Sequence, residues 1–448
     1  MRAPDGLDID DNNASLWSAT RPPRDPLPAL IGDQRADVVI VGAGFTGIST
    51  AWHLSRRFPE RKIAILEARE VGNGASGRNG GMALNWINGV EVRDEARARR
   101  VWDATQRGLD WIADVIREHH LDVRFRRVGC LEAYTDPARA EAAHAKAEKL
   151  ASWGIGVRYL QGTELAKRIT ATGVVGAIED PTAGQLHGLD LVSSLVPVLR
   201  ERGVLVCENA PVVAIEEGRT HRIRTPTGSV TAPWLVLATN GYTPSLGYFR
   251  TGLFPLHSHV VATEPIGLAR WEQLGWGATA GFTDDLDRIA YASMSEDGRL
   301  LFGGGGNRAY SYYCGNRLVP PNPPIAEWDF VTSKLHHYFP GAKEVPIAQR
   351  WSGTLGITMH RVCSMGITGV HRNILYALGY SGHGVVLANL AGEVLADLYS
   401  DHHEPWKDLP FYFRPFNHLI PPEPFRWLGY QVFTRLTGRS PRRYEADR

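Results

Sequence analysis

The sequence predicts an α/β fold in two parts. One is built on a buried, parallel sheet, and the second is an α+β unit built on an antiparallel sheet. Three observations carry this expectation. The runs at 36–41, 63–66 and 234–237 are short, apolar and β-branched, the pattern of strands covered on both faces. The first ends in a glycine-rich turn that feeds a helical pattern, as strand–helix–strand units require. The stretch 246–351 instead alternates and is rich in aromatics, with Tyr291, Phe302, Tyr310, Tyr312 and Tyr313, which suits an antiparallel sheet. A chain of 448 residues is long enough for two cores.

Composition removes several classes of function. Lys and Arg (49) balance Asp and Glu (48), so no nucleic acid or anionic membrane partner is expected. Cys130, Cys207, Cys314 and Cys363 are scattered, with no metal-ligand spacing and no disulfide framework. Free thiols fit a reducing cytoplasm, the expected location. The N-terminus is polar and acidic rather than a secretory signal, and no apolar run is long enough for a transmembrane helix.

Residues 1–35, rich in Asp, Asn and Pro, read as an irregular arm. The strand at 36–41 then ends at Gly42-Ala43-Gly44-Phe45-Thr46-Gly47, a G-x-G-x-x-G turn. Gly42 permits the tight turn, Gly44 lets the backbone approach a pyrophosphate, and Gly47 lets the following helix pack close to the sheet. The helix start, at Phe45 and Thr46, offers free N–H groups to phosphate. This helix should run through Arg57. The next strand, Ile63-Ala64-Ile65-Leu66, delivers Glu67, 20 residues after Gly47, where a carboxylate meets ribose hydroxyls. An acid there disfavours a 2′-phosphate, but the unit does not separate NAD from FAD.

A second glycine-rich segment follows at once: Ala68, Arg69, then Gly74-Ala75-Ser76-Gly77-Arg78-Asn79-Gly80-Gly81-Met82. So many glycines fit no helix or strand interior. Arg78 is suited to neutralise phosphate, and Ser76 and Asn79 to hydrogen-bond it. Glu67-Ala68 followed by GASGRNGG resembles the D-amino-acid oxidase superfamily of flavoproteins, and within it the gamma-glutamylputrescine oxidase-like branch. The resemblance implies FAD, with this loop running along the pyrophosphate toward the flavin. It also implies a Rossmann-type FAD-binding domain made of 36–90, 155–245 and 352–400. The second α+β substrate domain would be 91–154 and 246–351, and 401–448 a Pro- and aromatic-rich tail.

The middle of the chain adds less. Residues 91–153 read as helical, with Asp136-Pro137 as a helix start. Leu186–Leu199 reads as a helix that Pro197 bends or ends. Strands are expected near 204–206, 212–215 and 223–225, then at 234–237, which ends in Ala238-Thr239-Asn240-Gly241 and resembles the family's second FAD signature. Val212 corresponds to its adenine contact. The run Gly303–Gly306 reads as a strand end, since no Lys-Ser/Thr helix start follows.

Near the C-terminus, a strand at 373–378 meets Gly379-Tyr380-Ser381-Gly382-His383-Gly384-Val385 and an almost wholly apolar helix. A helix start there stabilises negative charge. The motif G-[YF]-S-G-H-G resembles the amine-oxidase side of the family and implies a loop against the flavin ring. His383 is either a base or a loop-holding residue, the second being preferred because a neutral amine needs no strong base. Trp351, with Tyr380 and Tyr291, is expected to wall an aromatic substrate pocket. The arginine that clamps an α-carboxylate in related amino-acid oxidases falls on Leu355. The flavin-linking cysteine position of sarcosine-oxidase-type members falls on Gly353, so FAD is expected to be non-covalent. Arg350 would replace the clamp only by swinging inward.

The expected activity is therefore FAD-dependent oxidation of a C–N bond in a small amine, with O2 the expected acceptor and no metal. An oligomer is compatible with this. The alternatives are a dehydrogenase of amines or amino acids that passes electrons to a quinone or protein, and a non-catalytic FAD-binding or sensor protein.

Overall fold

The computed structural model describes residues 14–437 apart from 88, 92, 287, 316, 319–322 and 417–419. At its centre is a six-stranded sheet in the order Leu205–Cys207, Ile63–Leu66, Val38–Val41, Trp234–Leu237, Ile374–Leu378, Ser364–Thr368. The first five are parallel and the last is antiparallel. Period-two alternation sends Val38 and Ile40 into one core, under the helices, and Val39 and Val41 into another. The second core is closed by Ile223 and Val230 of a small four-stranded sheet. Both faces are covered, which is why these strands read as unbroken apolar runs.

The helices Phe45–Arg57 and Gly384–Tyr399 cross on the other face, with Ser49 Oγ donating to the Asn389 carbonyl at 2.5 Å. Helix Glu95–Glu118 packs on Gly384–Tyr399 through Val101, Leu109, Ile112 and Val115. It had been expected in the substrate domain. Its apolar stripe instead meets the wholly apolar helix beside the parallel sheet, which has no other way to hide that face.

A nine-stranded sheet forms the second layer, antiparallel except where Gly281–Asp284 runs parallel to Cys130–Tyr134. The structure corrects the reading of 91–153 as helical throughout its two segments. Strands Phe125–Arg126 and Cys130–Tyr134 separate Glu95–Glu118 from Pro137–Ser152, because Cys130–Tyr134 finds partners on both edges. Strands Arg158–Leu160 and Gly176–Asp180 also join this sheet, although their sequence position had suggested the dinucleotide domain. Asp136 does cap its helix, accepting from Ala138 and Arg139 N–H.

Residues 1–13 of the arm lie outside the described residues, and the rest is not wholly irregular. Ser15 caps a helix, Leu16–Thr20, and Gly32–Arg35 adds to Gly228–Ala232 as a parallel strand. Pro197 sits inside a helix that continues to Glu201, held by the buried Leu195, Val196 and Leu199 around it. In the tail, helix Phe425–Thr437 lies on the nine-stranded sheet, with Tyr430 Oη donating to the Tyr310 carbonyl at 3.2 Å. Among the described residues, no helix is long and apolar enough to cross a membrane, and no His/Cys/Asp/Glu group is disposed to hold a metal.

Candidate active site

A cavity of about 370 Å³ lies between the two large sheets. One wall comes from the ends of the parallel strands, at Val41, Leu66 and Ala238. The other comes from Leu256, Ser258, Tyr291 and Tyr310 of the nine-stranded sheet.

The first wall is built by the glycine turn. Gly42 has φ +101°, which favours glycine, and it bends the chain so that Gly44, Phe45 and Thr46 line the cavity. Gly47 does not line it. A Cβ at Gly47 would stand 1.9 Å from the Gly42 carbonyl oxygen, so its absence permits the helix to sit against the turn. Glu67 and Ala68 line the cavity, whereas Arg69 contributes its N–H to Glu67 Oε1 at 3.1 Å. Glu67 Oε2 accepts from Ala43 N–H at 2.8 Å. Burial pushes the Glu67 carboxyl above its usual range, and the N–H groups of Ala43 and Arg69 oppose that push.

The second glycine-rich loop lines the cavity at 74–76 and 78–80 and at Met82, while Gly77 and Gly81 face packed chain outside it. Two polar side chains expected to serve phosphate are used by the loop itself. Ser76 Oγ accepts from Phe45 N–H at 2.9 Å, and Asn79 Nδ2 donates to the Ser76 carbonyl at 2.8 Å. The Arg78 guanidinium donates to the carbonyls of Asn73 (3.1 Å) and Ser352 (3.2 Å). Val212, Thr239 and Asn240 complete this end. Gly241 is outside the lining, and Asn240 Oδ1 accepts from Gly379 N–H at 2.9 Å.

The C-terminal loop lines the opposite end with Tyr380, Ser381, Gly382, His383, Gly384 and Val385, but not Gly379. His383 is the N-cap residue of Gly384–Tyr399, yet its side chain caps nothing and its buried Nδ1 has no partner. Burial holds its imidazole below the ordinary value, which favours the neutral form. Tyr380 Oη pairs with Thr46 Oγ1 at 2.7 Å, tying the two loops together.

Trp351 is not a cavity wall. It is fully buried in the core, its Nε1–H donates to the Arg78 carbonyl at 3.0 Å, and its own carbonyl accepts from Trp328. Its place in the strand directs it under the glycine-rich loop. Arg350 is exposed and does not swing inward. Leu355 and Gly353 both line the cavity. Sequence reasoning missed Asn73, Tyr242, Arg288 and Arg361, which also line it. Asn73 lies within the second glycine-rich segment and Tyr242 directly follows Gly241, whereas Arg288 and Arg361 belong to no motif and only the meeting of distant segments places them there.

The cavity suits a dinucleotide on three counts. The helix starts at Phe45 and Gly384 both open onto it without a cap from their own N-cap residues, and beyond Phe45 N–H, which Ser76 Oγ takes, they leave N–H groups for anionic oxygens. Asn73 Nδ2 and His383 Nδ1 are buried polar atoms without partners at two places along it. Glu67 presents the carboxylate appropriate to ribose hydroxyls.

Comparison with known proteins agrees. Gamma-glutamylputrescine oxidoreductase of Escherichia coli is 28% identical over 418 residues, covering 90% of this chain and 93% of its own. The probable oxidoreductase OrdL of Haemophilus influenzae is 27% identical over 386 residues, covering 83% and 84%. The crystal structure of glycine oxidase from Geobacillus kaustophilus superposes with a TM-score of 0.72 at 21% identity, covering 86% of this chain and all of that one, a likeness of fold. Residues 37–398 match the family model described as DAO, FAD dependent oxidoreductase. The protein thus belongs to the DAO family of FAD-dependent oxidoreductases, and the cavity between its sheets is shaped for that cofactor.

Proposed function

We propose that the protein oxidises the C–N bond of a small amine bound in neutral form. One observation carries this reading: among the described residues, Glu67 is the only acidic side chain that lines the cavity, and it stands at the ribose end. An ammonium ion entering the other end would find no counter-charge. Desolvation there lowers an amine pKa and frees the lone pair that must form the new C=N bond.

The residues divide this work. Tyr291, Tyr310, Ile289 and Leu355 exclude water from the amine. Tyr291 is hydrogen-bonded to Ser258 at 2.9 Å, and burial pushes its phenol up to about 12, so it stays protonated and takes no proton from the amine. His383, favoured in its neutral form and with a free Nδ1, is placed as a hydrogen-bond partner rather than a cation. Gly42–Thr46, Glu67, the 74–82 loop and the start of Gly384–Tyr399 would hold FAD. FAD held there would supply the acceptor for the hydride on the carbon next to nitrogen, with O2 as the terminal oxidant, reduced to H2O2. Hydrolysis of the C=N product by water would give a carbonyl compound and release the nitrogen as ammonia or an amine.

The relatives named for gamma-glutamylputrescine, for glycine and for 4-methylaminobutanoate support a substrate among amines. Bleaching of the bound flavin by an amine under anaerobic conditions is the expected result. A panel of primary and secondary amines that leaves the flavin oxidised would refute the reading. Stoichiometric peroxide on admitting air separates O2 from a quinone or protein acceptor.

A further inference from the structure

We infer that Arg288 is the specificity determinant of this site, and that the substrate is an amine carrying a carboxylate several bonds from the reacting carbon. The inference rests on the amine-oxidation reading and deepens it.

Arg288 lines the cavity on the nine-stranded-sheet side, next to Ile289 and three residues before Tyr291. Its Nε–H donates to Asn307 Oδ1 at 2.9 Å, and no described carboxylate pairs with it. The guanidinium carbon lies 5.4 Å from the Phe433 ring centroid. That ring belongs to the C-terminal helix, whose Thr434 carbonyl accepts from Asn307 Nδ2 at 2.8 Å. One helix therefore fixes the plane of the guanidinium from above and its hydrogen-bond partner from the side. This leaves the terminal nitrogens as a prepared fork for a carboxylate. Phe433 is half exposed, so Arg288 stands toward the solvent end.

The segment that presents Arg288 is held as well. Asp284 Oδ1 accepts from Leu286 and Ala290 N–H, and Asp284 Oδ2 accepts from Tyr338 Oη at 2.8 Å. Among the described residues no acidic side chain lines this end of the cavity, so the arginine's charge is available to an anionic group of a ligand.

The sheet sets the spacing. The strand of Leu355 pairs with Phe254–Thr263, which pairs with Leu300–Gly304, which pairs with Ala290–Met294 just after Arg288. Three strand spacings, about 14 Å of sheet, separate the apolar Leu355 from the backbone near Arg288. An α-amino acid whose reacting carbon lies against Leu355 is too short to use a cation so displaced. An amine with a remote carboxylate is not. Arg361, the other cation missed from the sequence, also lines the cavity, four residues after the end of the strand that carries Leu355.

The test uses the FAD-loaded enzyme and anaerobic flavin bleaching. The probes are ω-amino acids from 4-aminobutanoate to 6-aminohexanoate, each beside its neutral primary amide. The carboxylates should bleach at lower concentration than the amides. Arg288→Gln should raise the half-saturating concentration for carboxylates about ten- to hundredfold and leave that for amides in place. Arg288→Lys should recover part of the difference. The visible spectrum and melting temperature of each variant report whether it is folded and loaded. Equal use of acid and amide, a preference that survives Arg288→Gln, or one that is lost only in Arg361→Gln would overturn the assignment and leave amine oxidation standing. Failure of every amine, charged or neutral, would overturn both.

Discussion

The indole N–H of Trp351 donates to the main-chain carbonyl of Arg78 at 3.0 Å, so a strand of the outer sheet carries the loop that lines the dinucleotide cavity. Removing that donor leaves a carbonyl without its partner. Trp351→Phe should cost about 1–3 kcal/mol in stability. It should weaken FAD retention while kcat at saturating FAD is kept. Melting curves with and without added FAD measure the first two. A changed substrate KM with unchanged FAD affinity would instead mean that Trp351 faces substrate.

Gly47 admits no side chain. With an added Cβ placed 1.9 Å from the Gly42 oxygen, Gly47→Ala must move the helix or the turn. The expected loss is at least about 3 kcal/mol, since neither side is a flexible side chain. Urea unfolding checks this. A variant that unfolds with the parent midpoint would refute the close-packing role.

His259 makes stability depend on pH. It is fully buried, with Nδ1 at 2.7 Å from Ser352 Oγ and Nε2 at 2.9 Å from Ser311 Oγ. Burial pushes it down to about 3, from an ordinary value of 6.5. Between those values the unfolded chain binds a proton that the folded chain refuses, so stability falls as pH drops from 6.5 toward 3. His187 acts in the same direction, so the comparison is between parent and variant. The stability lost between pH 7.5 and pH 4.5 should be smaller in His259→Asn than in the parent. Parallel pH profiles for the two would count against it.

The flavin should be released by denaturation. No cysteine lines the cavity among the described residues. Cys363 is buried away from the lining, and its thiol is pushed up to about 12. Acid precipitation should leave all yellow colour in the supernatant. Colour in the protein pellet would show a covalent bond.

Much of the cofactor side was legible because its chemistry is local. A turn needs Gly42 at a positive φ, and a strand of four residues carries Glu67 to its end, whatever the rest of the chain does. The same local reading failed for Asn79, whose amide turned back on its own loop. It failed again for Trp351, since an aromatic residue in a strand announces burial but not what it meets. Arg288 carried no local mark at all.

By itself the sequence determined the doubly covered strands, the glycine turns and the apolar helix after residue 383. These follow from periodicity and backbone permissiveness over a few residues. Only the tertiary structure decided which side chains face the cavity. It put helix Glu95–Glu118 on the parallel sheet, turned Trp351 under the loop, and brought helix Phe425–Thr437 onto Arg288. The physical reason is that a period assigns a residue to a face, whereas its neighbours come from register and packing between segments more than a hundred residues apart.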